Sequence, residues 1–239
     1  MTPSPAQAAD SIQRDGYVFL PAATASDFFA TPTDAPAWQA LASSWDDLRP
    51  DTYMADGGRY RLRRHATFAA PAGGTIARAP HQPHYQMLRH NPLNGGLERW
   101  FEPVETAIGE GEALTRLLAG ARSVFEATAT ESGAWHIEAH QFRIEARPDT
   151  AGKPTPEGMH RDGVAFVLVT LIGRENVAGG VTAIRVDGQE GEASFTLEHP
   201  LDSVLLDDTR VWHGVTPILP LDPAKPGHRD VLVLTFART

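Results

Sequence analysis

The second half of the chain is a series of short β-type runs separated by clusters of Gly, Pro and Asp, and this pattern limits the folds it can adopt. The runs cover residues 136–146, 164–172, 181–186, 193–198, 203–208 and 231–237. Many short strands at roughly ten-residue spacing, with turn signals between them, are typical of all-β architectures. The pattern therefore predicts an antiparallel sandwich or barrel.

The first half has helical periodicity instead. Residues 34–49 and 112–129 each place apolar side chains on one helical face, with Asp34 expected to cap the first of these helices. A shorter helix is expected over residues 5–15, ended by Gly16, with a strand directly after it. Because the helices precede the strands, we expect them to buttress one outer face of the β core.

Together these patterns predict an α+β fold with a double-sheet jelly-roll core, that is, a cupin-like double-stranded β-helix, and buttressing helices. The expected organisation is a single domain over residues 1–239. About residues 1–130 would form the helical, lid-forming part. About residues 131–239 would form the jelly-roll core.

Composition excludes several kinds of chemistry. The 239 residues contain no Cys, which excludes disulfides, Cys-ligated zinc, iron–sulfur clusters and thiol nucleophiles. The formal net charge of −9 disfavours nucleic acid as a partner, because nucleic-acid-binding proteins usually carry a basic excess. No segment resembles a signal peptide or reaches the roughly 18 apolar residues that span a membrane. We therefore expect a cytoplasmic protein with no membrane partner; the oligomeric state stays open.

His160 and Asp162 stand directly before the apolar run at 164–172. In extended backbone, residues two apart point to the same side, so both side chains can hold one ion. His213 follows with fifty residues between it and Asp162, in a turn-rich segment after a strand. Two imidazoles and one carboxylate are the ligand set of non-haem Fe(II) oxygenases, and zinc enzymes use the same donors with fewer open positions.

Arg229 begins the last apolar run, with fifteen residues between it and His213. A lone guanidinium entering a core strand is costly unless it binds an anion. A carboxylate is the anion that a guanidinium holds best, through two parallel hydrogen bonds. If 2-oxoglutarate chelates the metal, Arg229 is the candidate for its distal carboxylate.

Three runs of sequence carry a resemblance to a known family: PEGMHRDG at 156–163, DDTRVWHGVTPI at 207–218 and HRDVLVLTF at 228–236. They resemble the 2-oxoglutarate/Fe(II) dioxygenases of the bacterial L-isoleucine 4-hydroxylase group, which act on free amino acids. The resemblance covers about residues 80–239 and is weak before them. The order H-x-D, H, R is shared by the whole superfamily, whereas PEGMHRDG is narrower.

The resemblance implies that His160, Asp162 and His213 are iron ligands and that Arg229 binds the C5 carboxylate of 2-oxoglutarate. It implies Fe(II), 2-oxoglutarate and O2 as cofactor and co-substrates, with succinate and CO2 as products. The expected reaction is hydroxylation of a free L-amino acid such as isoleucine or leucine, or sulfoxidation of methionine. The alternatives are an oxygenase of another small metabolite or a peptide, and a metal-binding jelly roll that is not an oxygenase.

Two alternating segments supply candidate substrate contacts. Gln141 and Arg143 share one face of the strand at 136–146 and are candidates for binding an amino acid head group; a surface salt bridge is the other interpretation of Arg143. Arg61 and Arg63 share a face of the segment RYRLRRH and are candidates for a carboxylate, with a solvated strand face as the alternative.

Two further features flank these candidates. His81 and His84 lie three residues apart, but Pro83 breaks a helix there and no partner cluster is visible, so the sequence gives little support for a second metal site. The polar, Pro-rich stretch at 148–158 precedes His160 directly. It is expected to form a mobile flap over the site.

Overall fold

A computed structural model of the chain describes residues 1–88, 93 and 95–239. The α-helices are α1 (Pro5–Asp15), α2 (Ala22–Phe28), α3 (Pro36–Ser43), α4 (Thr106–Gly109) and α5 (Glu112–Thr128). A 3₁₀ turn, Ser44–Asp47, continues α3. The strands are β1 (Tyr17–Leu20), β2 (Arg49–Pro50), β3 (Arg61–Ala70), β4 (Ala77–Arg78), β5 (His84–Tyr85), β6 (Glu98–Arg99), β7 (Trp135–Ala146), β8 (Phe166–Glu175), β9 (Val177–Gly179), β10 (Val181–Val186), β11 (Ala193–Thr196), β12 (Ser203–Asp207), β13 (Val211–Val215), β14 (Ile218–Pro220) and β15 (Gly227–Arg238).

An eight-stranded sheet, here called the major sheet, is the centre of the fold. Seven strands follow the order β1-β12-β8-β15-β7-β3-β2, and β4 pairs with β3 outside that path. All of these pairings are antiparallel. A three-stranded minor sheet, β11-β10-β13, forms the second layer, and this two-sheet arrangement is the predicted jelly roll.

The helices cover one face of the major sheet, called the outer face. Along β15, Leu232, Leu234 and Phe236 point to this side and join one apolar cluster with α1, α3 and α5. Phe125 of α5 stacks on Phe166 of β8 with ring centroids 4.8 Å apart. The opposite face, called the inner face, looks toward the minor sheet. Apolar side chains of the two sheets meet between them.

The helices predicted over 5–15 and 112–129 are confirmed, whereas the one predicted over 34–49 is shorter: α3 ends at Ser43, and Arg49 already lies in β2. α1 ends at Gly16, whose φ of 79° is the left-handed conformation that glycine adopts easily. The helix predicted over 112–129 is α5. The expected cap by Asp34 is wrong: Ala35 is the N-cap residue of α3, without a side-chain hydrogen bond, and Pro36 supplies the preset φ of the first turn.

The N-terminal 130 residues also contribute strands, of which the sequence patterns indicated only β1 and the alternating segment RYRLRRH at the start of β3. β3 is ten residues long and pairs with β7 from Arg61↔Ile144 to Ala70↔Trp135. The chain before residue 131 is therefore part of the major sheet as well as its helical cover. Within the described ranges, no helix combines the length and apolar character that crossing a bilayer requires.

Candidate active site

His160, Asp162 and His213 come together at the end of the cavity between the two sheets. Asp162 Oδ1 lies 3.7 Å from His160 Nε2, and Asp162 Oδ2 lies 3.4 Å from His213 Nε2. One nitrogen or oxygen from each side chain lies within 4.8 Å of the others. The three candidates predicted from sequence spacing therefore form one cluster.

Backbone pairing places the two histidines side by side. His160 and His213 exchange both N–H···O bonds, 2.9 and 3.0 Å long, as a narrow pair of an antiparallel bridge. Gly214 permits this approach, because a Cβ there would lie 2.9 Å from the sulfur of Met159. The imidazole of His160 is turned by a contact of Nδ1 with the Gly158 carbonyl at 3.0 Å, which directs Nε2 toward Asp162.

Asp208 holds the segment that carries Asp162. Its carboxylate accepts backbone N–H bonds from Asp162, Gly163 and Val164 at 2.7–3.0 Å, so three orphan donors of the turn before β8 are satisfied. Asp208 is 1% exposed, and its Oδ1 also lies 3.7 Å from His213 Nε2. It is therefore a positioning residue beside the cluster.

The electrostatics of the cluster favour a cation. Burial opposes a charge on His213, but hydrogen bonding and charge from Asp162 and Asp208 outweigh it and raise its pKa to about 10. Burial also acts against the Asp162 carboxylate, yet the two imidazoles hold its pKa well below the usual range. A site that binds a proton this strongly presents the donors and negative charge that a divalent metal ion requires.

The residues fit an iron ion held by two imidazoles and one carboxylate. His213 Nε2 is buried 3.4 Å from Asp162 Oδ2 and, among the described residues, no partner meets it with full hydrogen-bond geometry, so this nitrogen is directed into the cluster. An ion held by this donor set would have coordination positions left for other ligands. This is the arrangement that metal-dependent oxygen chemistry requires.

Arg229 lies on the inner face of β15 and lines the same cavity. It is 2% exposed, and in the described part of the molecule its Nε and Nη2 have no hydrogen-bond partner. Burial, with a smaller contribution from Arg174, lowers its pKa to about 10, so the guanidinium stays cationic at neutral pH. A buried cation with unpaired N–H groups facing a cavity is suited to bind an anion.

Arg61 and Arg63 also reach the cavity, but both have protein partners. Arg61 donates from Nε and Nη2 to Asp51 Oδ2 at 2.8 and 2.7 Å. Arg63 contacts His140 Nδ1 at 2.7 Å, and its guanidinium carbon lies 3.6 Å from the ring centroid of Phe101. Both side chains are buried, so the alternative of a solvated strand face is wrong.

Two cavity residues escaped the sequence interpretation. Arg99 of β6 is 2% exposed, and its Nε and Nη2 have no hydrogen-bond partner within the described ranges. Glu157 places Oε1 3.5 Å from His160 Nε2, and its Oε2 is buried without a partner among the same residues. The position of Glu157 inside PEGMHRDG was a usable signal, whereas Arg99 has no surrounding motif.

Gln141 and Arg143 do not reach the cavity, which corrects the expectation that they contact substrate. Both point to the outer face, because β7 alternates and Phe142 and Ile144 take the cavity side. Gln141 donates to Ser44 Oγ at 2.7 Å. Arg143 forms an ion pair with Asp230 at 2.7 Å and a second with Asp46 at 3.3 Å, which is the salt-bridge alternative.

The flap expected at 148–158 contributes Pro154, Thr155 and Glu157 to the cavity wall. Backbone pairing holds its middle in place, since Gly152 exchanges hydrogen bonds of 3.0 and 2.8 Å with Ile218. Thr155 Oγ1 accepts from the N–H of Val215 at 2.9 Å. The segment covers the site, and its predicted mobility stays a prediction.

Comparison with known proteins assigns this site to a family. The model of the 2OG-Fe dioxygenase family matches residues 42–235, which is most of the chain and includes all three clustered ligands and Arg229. The chain belongs to the 2OG-Fe dioxygenase family. The dioxygenase is thus an enzyme that depends on 2-oxoglutarate and uses Fe(II) and O2, as the resemblance implied.

Relatives of the dioxygenase agree in length and fold. It is 24% identical over 238 residues to the 3(1)-hydroxy-L-isoleucine 4-dioxygenase of Pantoea ananatis, covering 96% of this chain and 95% of the relative. The crystal structure of a bsmA homolog from Methylobium petroleophilum PM1 has 39% identity and a TM-score of 0.90, covering 100% of this chain and 94% of that one. IDO from Bacillus thuringiensis shares the fold, with 16% identity, a TM-score of 0.81, and coverage of 99% and 96%.

Proposed function

We propose that this dioxygenase hydroxylates an unactivated C–H bond of a small free L-amino acid, with succinate and CO2 as co-products. The proposal rests on two buried guanidinium groups and one carboxylate around a single cavity. Among the described residues, Nε and Nη2 of both Arg229 and Arg99 have no hydrogen-bond partner, and neither does Oε2 of Glu157. One cation suits 2-oxoglutarate. The other cation and the carboxylate suit a zwitterion. The Pantoea ananatis relative, whose name specifies a hydroxy-isoleucine, supports this substrate class.

In this proposal His160, Asp162 and His213 hold the ferrous ion. Bound there, iron supplies the activation of O2 that couples decarboxylation of 2-oxoglutarate to oxidation of the substrate. Asp162 contributes the negative charge of the ligand set, and the Gly158 carbonyl orients the ring of His160. Asp208 keeps the loop of Asp162 in place through three backbone hydrogen bonds.

Arg229 is the proposed partner of the C5 carboxylate of 2-oxoglutarate. Its position on β15, in the wall of the cavity that His160 and His213 also line, supports this role. Arg174 next to it donates to the backbone carbonyls of Leu197, Val177 and Gly179, so its own hydrogen bonds are already used. Of these two neighbouring arginines, Arg229 is therefore the one whose N–H groups are available to an anion in the cavity.

Arg99 and Glu157 are the proposed partners of the substrate α-carboxylate and α-ammonium groups. Arg61 is a weaker candidate than Arg99, because Asp51 already neutralises it. Arg63 remains a candidate through its unpaired Nε. The rest of the wall is mostly apolar, which suits an aliphatic side chain such as that of isoleucine or leucine, or the thioether of methionine; it includes Phe142, Ile144, Val169, Val204, Leu206, Val215, Val231 and Val233.

The experiment that tests the substrate class is a succinate assay. Protein loaded anaerobically with Fe(II) is mixed with 2-oxoglutarate, O2 and each of the twenty amino acids in turn. We expect one or a few aliphatic or thioether amino acids to stimulate succinate formation, with a hydroxylated or sulfoxidised product by mass spectrometry. Stimulation by none of them, in a protein that still turns over 2-oxoglutarate slowly, would contradict the proposal.

A variant of Arg99 tests the head-group assignment. Arg99→Met removes the proposed carboxylate partner, so we expect the KM for the amino acid to rise at least about 30-fold while the KM for 2-oxoglutarate changes little. The matched control is Arg116→Met on the solvent-facing side of α5; its guanidinium pairs with Glu112, and its loss should leave both constants unchanged. Equal effects on both KM values would contradict separate sites for the two substrates.

We also propose that residues 1–239 form a single catalytic domain. The support is that β3, from the N-terminal part, and β7, from the C-terminal part, are neighbours in the major sheet and both contribute residues to the cavity. Removal of either part would therefore expose an unpaired sheet edge and open the site.

A further inference from the structure

A second group of metal-binding side chains lies outside the residues used above. It consists of His65, His84, Glu138 and His140 and is called the histidine cluster. Nitrogen and oxygen atoms of these four residues lie within 4.8 Å of one another. His65 comes from β3, His84 from β5, and Glu138 and His140 from β7, so three strands on the inner face supply it.

Glu138 is the centre of the histidine cluster. Its Oε2 lies 2.5 Å from His84 Nδ1, 3.1 Å from His140 Nε2 and 3.4 Å from His65 Nε2. Burial opposes the ionised form, but hydrogen bonds from the surrounding imidazoles outweigh it and hold the pKa of Glu138 well below its usual range. Glu138 therefore places one carboxylate oxygen within 3.4 Å of three imidazoles.

The tautomer of His140 is fixed by Arg63. A guanidinium can only donate, so the 2.7 Å contact from Arg63 Nη2 makes His140 Nδ1 the acceptor. The proton of His140 is then on Nε2, which donates to Glu138. His140 thus orients the carboxylate, in the way that outer partners of metal ligands do, and is not itself a free ligand.

Hydrogen bonding within the histidine cluster does not account for the burial of His65. It is 0% exposed, and among the residues that the structure describes neither ring nitrogen has a hydrogen-bond partner. Leaving both nitrogens of a buried imidazole unpaired costs free energy, because each has lost its hydrogen bonds to water. Its Nε2 faces Glu138 at 3.4 Å, which is too long for a hydrogen bond and suits two ligands of one ion.

We propose that His65, His84 and Glu138 bind a divalent transition-metal ion of the Zn²⁺ class, at a second site that is separate from the His160, Asp162 and His213 site. None of the three ligands is among the described residues that line the cavity. The inference does not depend on the proposed amino acid substrate. It concerns a site that the oxygenase chemistry does not use.

The geometry fits tetrahedral coordination at one contact and requires a small adjustment at the other. Ligands bonded to zinc at about 2.0–2.1 Å are about 3.3 Å apart in a tetrahedron, close to the 3.4 Å between His65 and Glu138. The 2.5 Å between His84 and Glu138 is a hydrogen-bond distance. A metal ion would replace the proton that joins these two groups, and His84 can move because β5 has only two residues.

His136 lies 3.5 Å from the other oxygen of Glu138 and is half-buried at the edge of the cluster.

The test is Zn²⁺ binding to a protein whose first site has been removed. The double variant His160→Ala/His213→Ala, with any affinity tag cleaved and metal stripped by chelator, is titrated with Zn²⁺ by calorimetry and analysed for metal after dialysis. We expect one equivalent in the double variant and two in the wild-type chain. No binding to the double variant would overturn the proposal.

Two further substitutions in the double variant locate the ion. Glu138→Gln keeps the shape of the side chain but removes its charge, so we expect Zn²⁺ affinity to fall at least about 100-fold. His84→Gln should act in the same direction. The matched control is His199→Ala, which removes an exposed histidine and should retain one equivalent.

Co²⁺ in place of Zn²⁺ provides a readout that does not depend on affinity. The visible absorption of tetrahedral Co²⁺ should appear in the double variant and be lost with Glu138→Gln. Circular dichroism checks that each variant is folded. Retention of one equivalent and of the Co²⁺ bands in the folded Glu138→Gln variant would place the ion elsewhere and overturn the assignment.

Discussion

The two faces of the major sheet are built from the same strands but differ in function: the outer face packs against helices, and the inner face lines the cavity. Along β15, Leu232, Leu234 and Phe236 point to the outer face and are buried against helices. Arg229, Val231 and Val233 alternate with them and line the cavity on the inner face. The outer face contributes stability by removing apolar surface from water, whereas the inner face buries charged groups that cost stability until a ligand pairs with them.

This contrast separates two kinds of residue. Substitutions on the outer face should change the free energy of unfolding and leave the chemistry of the folded enzyme unchanged. Substitutions among the ligand-binding groups should change turnover or substrate affinity, and those that remove an unpaired buried charge should stabilise the ligand-free protein. The variants below test this division.

The largest effect is expected at the proposed metal ligands. Asp162→Ala removes the charged ligand from between His160 and His213, so we expect substrate-coupled succinate formation to fall by more than about 100-fold, the upper range for loss of an outer-shell partner. Succinate is measured at saturating 2-oxoglutarate and substrate. Asp34→Ala, at an exposed position before α3, is the control and should match the wild type.

Undiminished hydroxylation by Asp162→Ala would contradict the ligand assignment. The variant should also lose most of its Fe(II) when dialysed, because the remaining two imidazoles lack the negative charge of the set. Retention of iron with loss of turnover would instead assign Asp162 a role after metal binding.

The clustering of His160, Asp162 and His213 was predictable from sequence because its signal is local. His160 and Asp162 are two residues apart at a strand end, and extended backbone must bring them to one side. His213 and Arg229 each stand beside an apolar run whose type was clear. The order of the β runs likewise predicted a two-layer antiparallel core. Strand alternation was right for β7, since Gln141 and Arg143 do share a face.

The choice of face for β7 could not be made from its own sequence. Each face of β7 mixes polar and apolar residues, with His140 and Phe142 on one side and Ala139 and Gln141 on the other. Only the partner strands β3 and β15 decide which side meets the helices. Arg99 and the histidine cluster were missed for a related reason. Their members come from strands far apart in sequence, so no spacing rule joins Arg99 to Glu157 or His65 to Glu138.

The second prediction concerns the outer face. Phe236 packs between Phe125, with ring centroids 4.9 Å apart, and Trp135, at 5.8 Å. Phe236→Ala leaves a cavity under α5, so we expect a loss of about 3–5 kcal/mol in the free energy of unfolding. Urea denaturation measures it. Phe236→Leu, which keeps most of the apolar volume, should cost less than about 1.5 kcal/mol.

Turnover per folded molecule should be unchanged in Phe236→Ala, measured below the temperature at which the variant unfolds. A fall in kcat, in a protein that circular dichroism shows to be fully folded, would indicate that the outer face also shapes the site. That result would break the division between the two faces.

The third prediction concerns an unpaired buried charge. Arg229→Met should raise the KM for 2-oxoglutarate at least about 30-fold, since a buried charge partner is lost. In the absence of 2-oxoglutarate the same variant should be more stable by about 1–4 kcal/mol, because it no longer buries an unpaired guanidinium. Thermal unfolding without 2-oxoglutarate measures the gain in stability. The rise in Tm on adding 2-oxoglutarate, which should be smaller in the variant, measures the loss of binding.

Arg174→Met is the matched control for Arg229→Met. Arg174 lies beside Arg229 but donates to three backbone carbonyls, so its removal should destabilise the protein and not stabilise it. If both variants lose stability to the same extent, Arg229 has partners in the ligand-free protein. Its role as an anion site would then lose its main support.

The smallest effect is expected at Gln141, which is as deeply buried as Arg229 but lies on the outer face. Its Nε2 donates to Ser44 Oγ, while its Oε1 has no hydrogen-bond partner in the described ranges. Gln141→Leu removes both groups, and Ser44 keeps its 2.6 Å bond to the Leu41 carbonyl. We therefore expect the free energy of unfolding to change by less than about 1 kcal/mol, since the lost hydrogen bond and the removed unpaired oxygen offset each other.

The KM values of Gln141→Leu for both substrates should be unchanged in the succinate assay. A tenfold rise in the KM for the amino acid would restore Gln141 as a substrate contact and would show that β7 presents its odd-numbered residues to the cavity in solution.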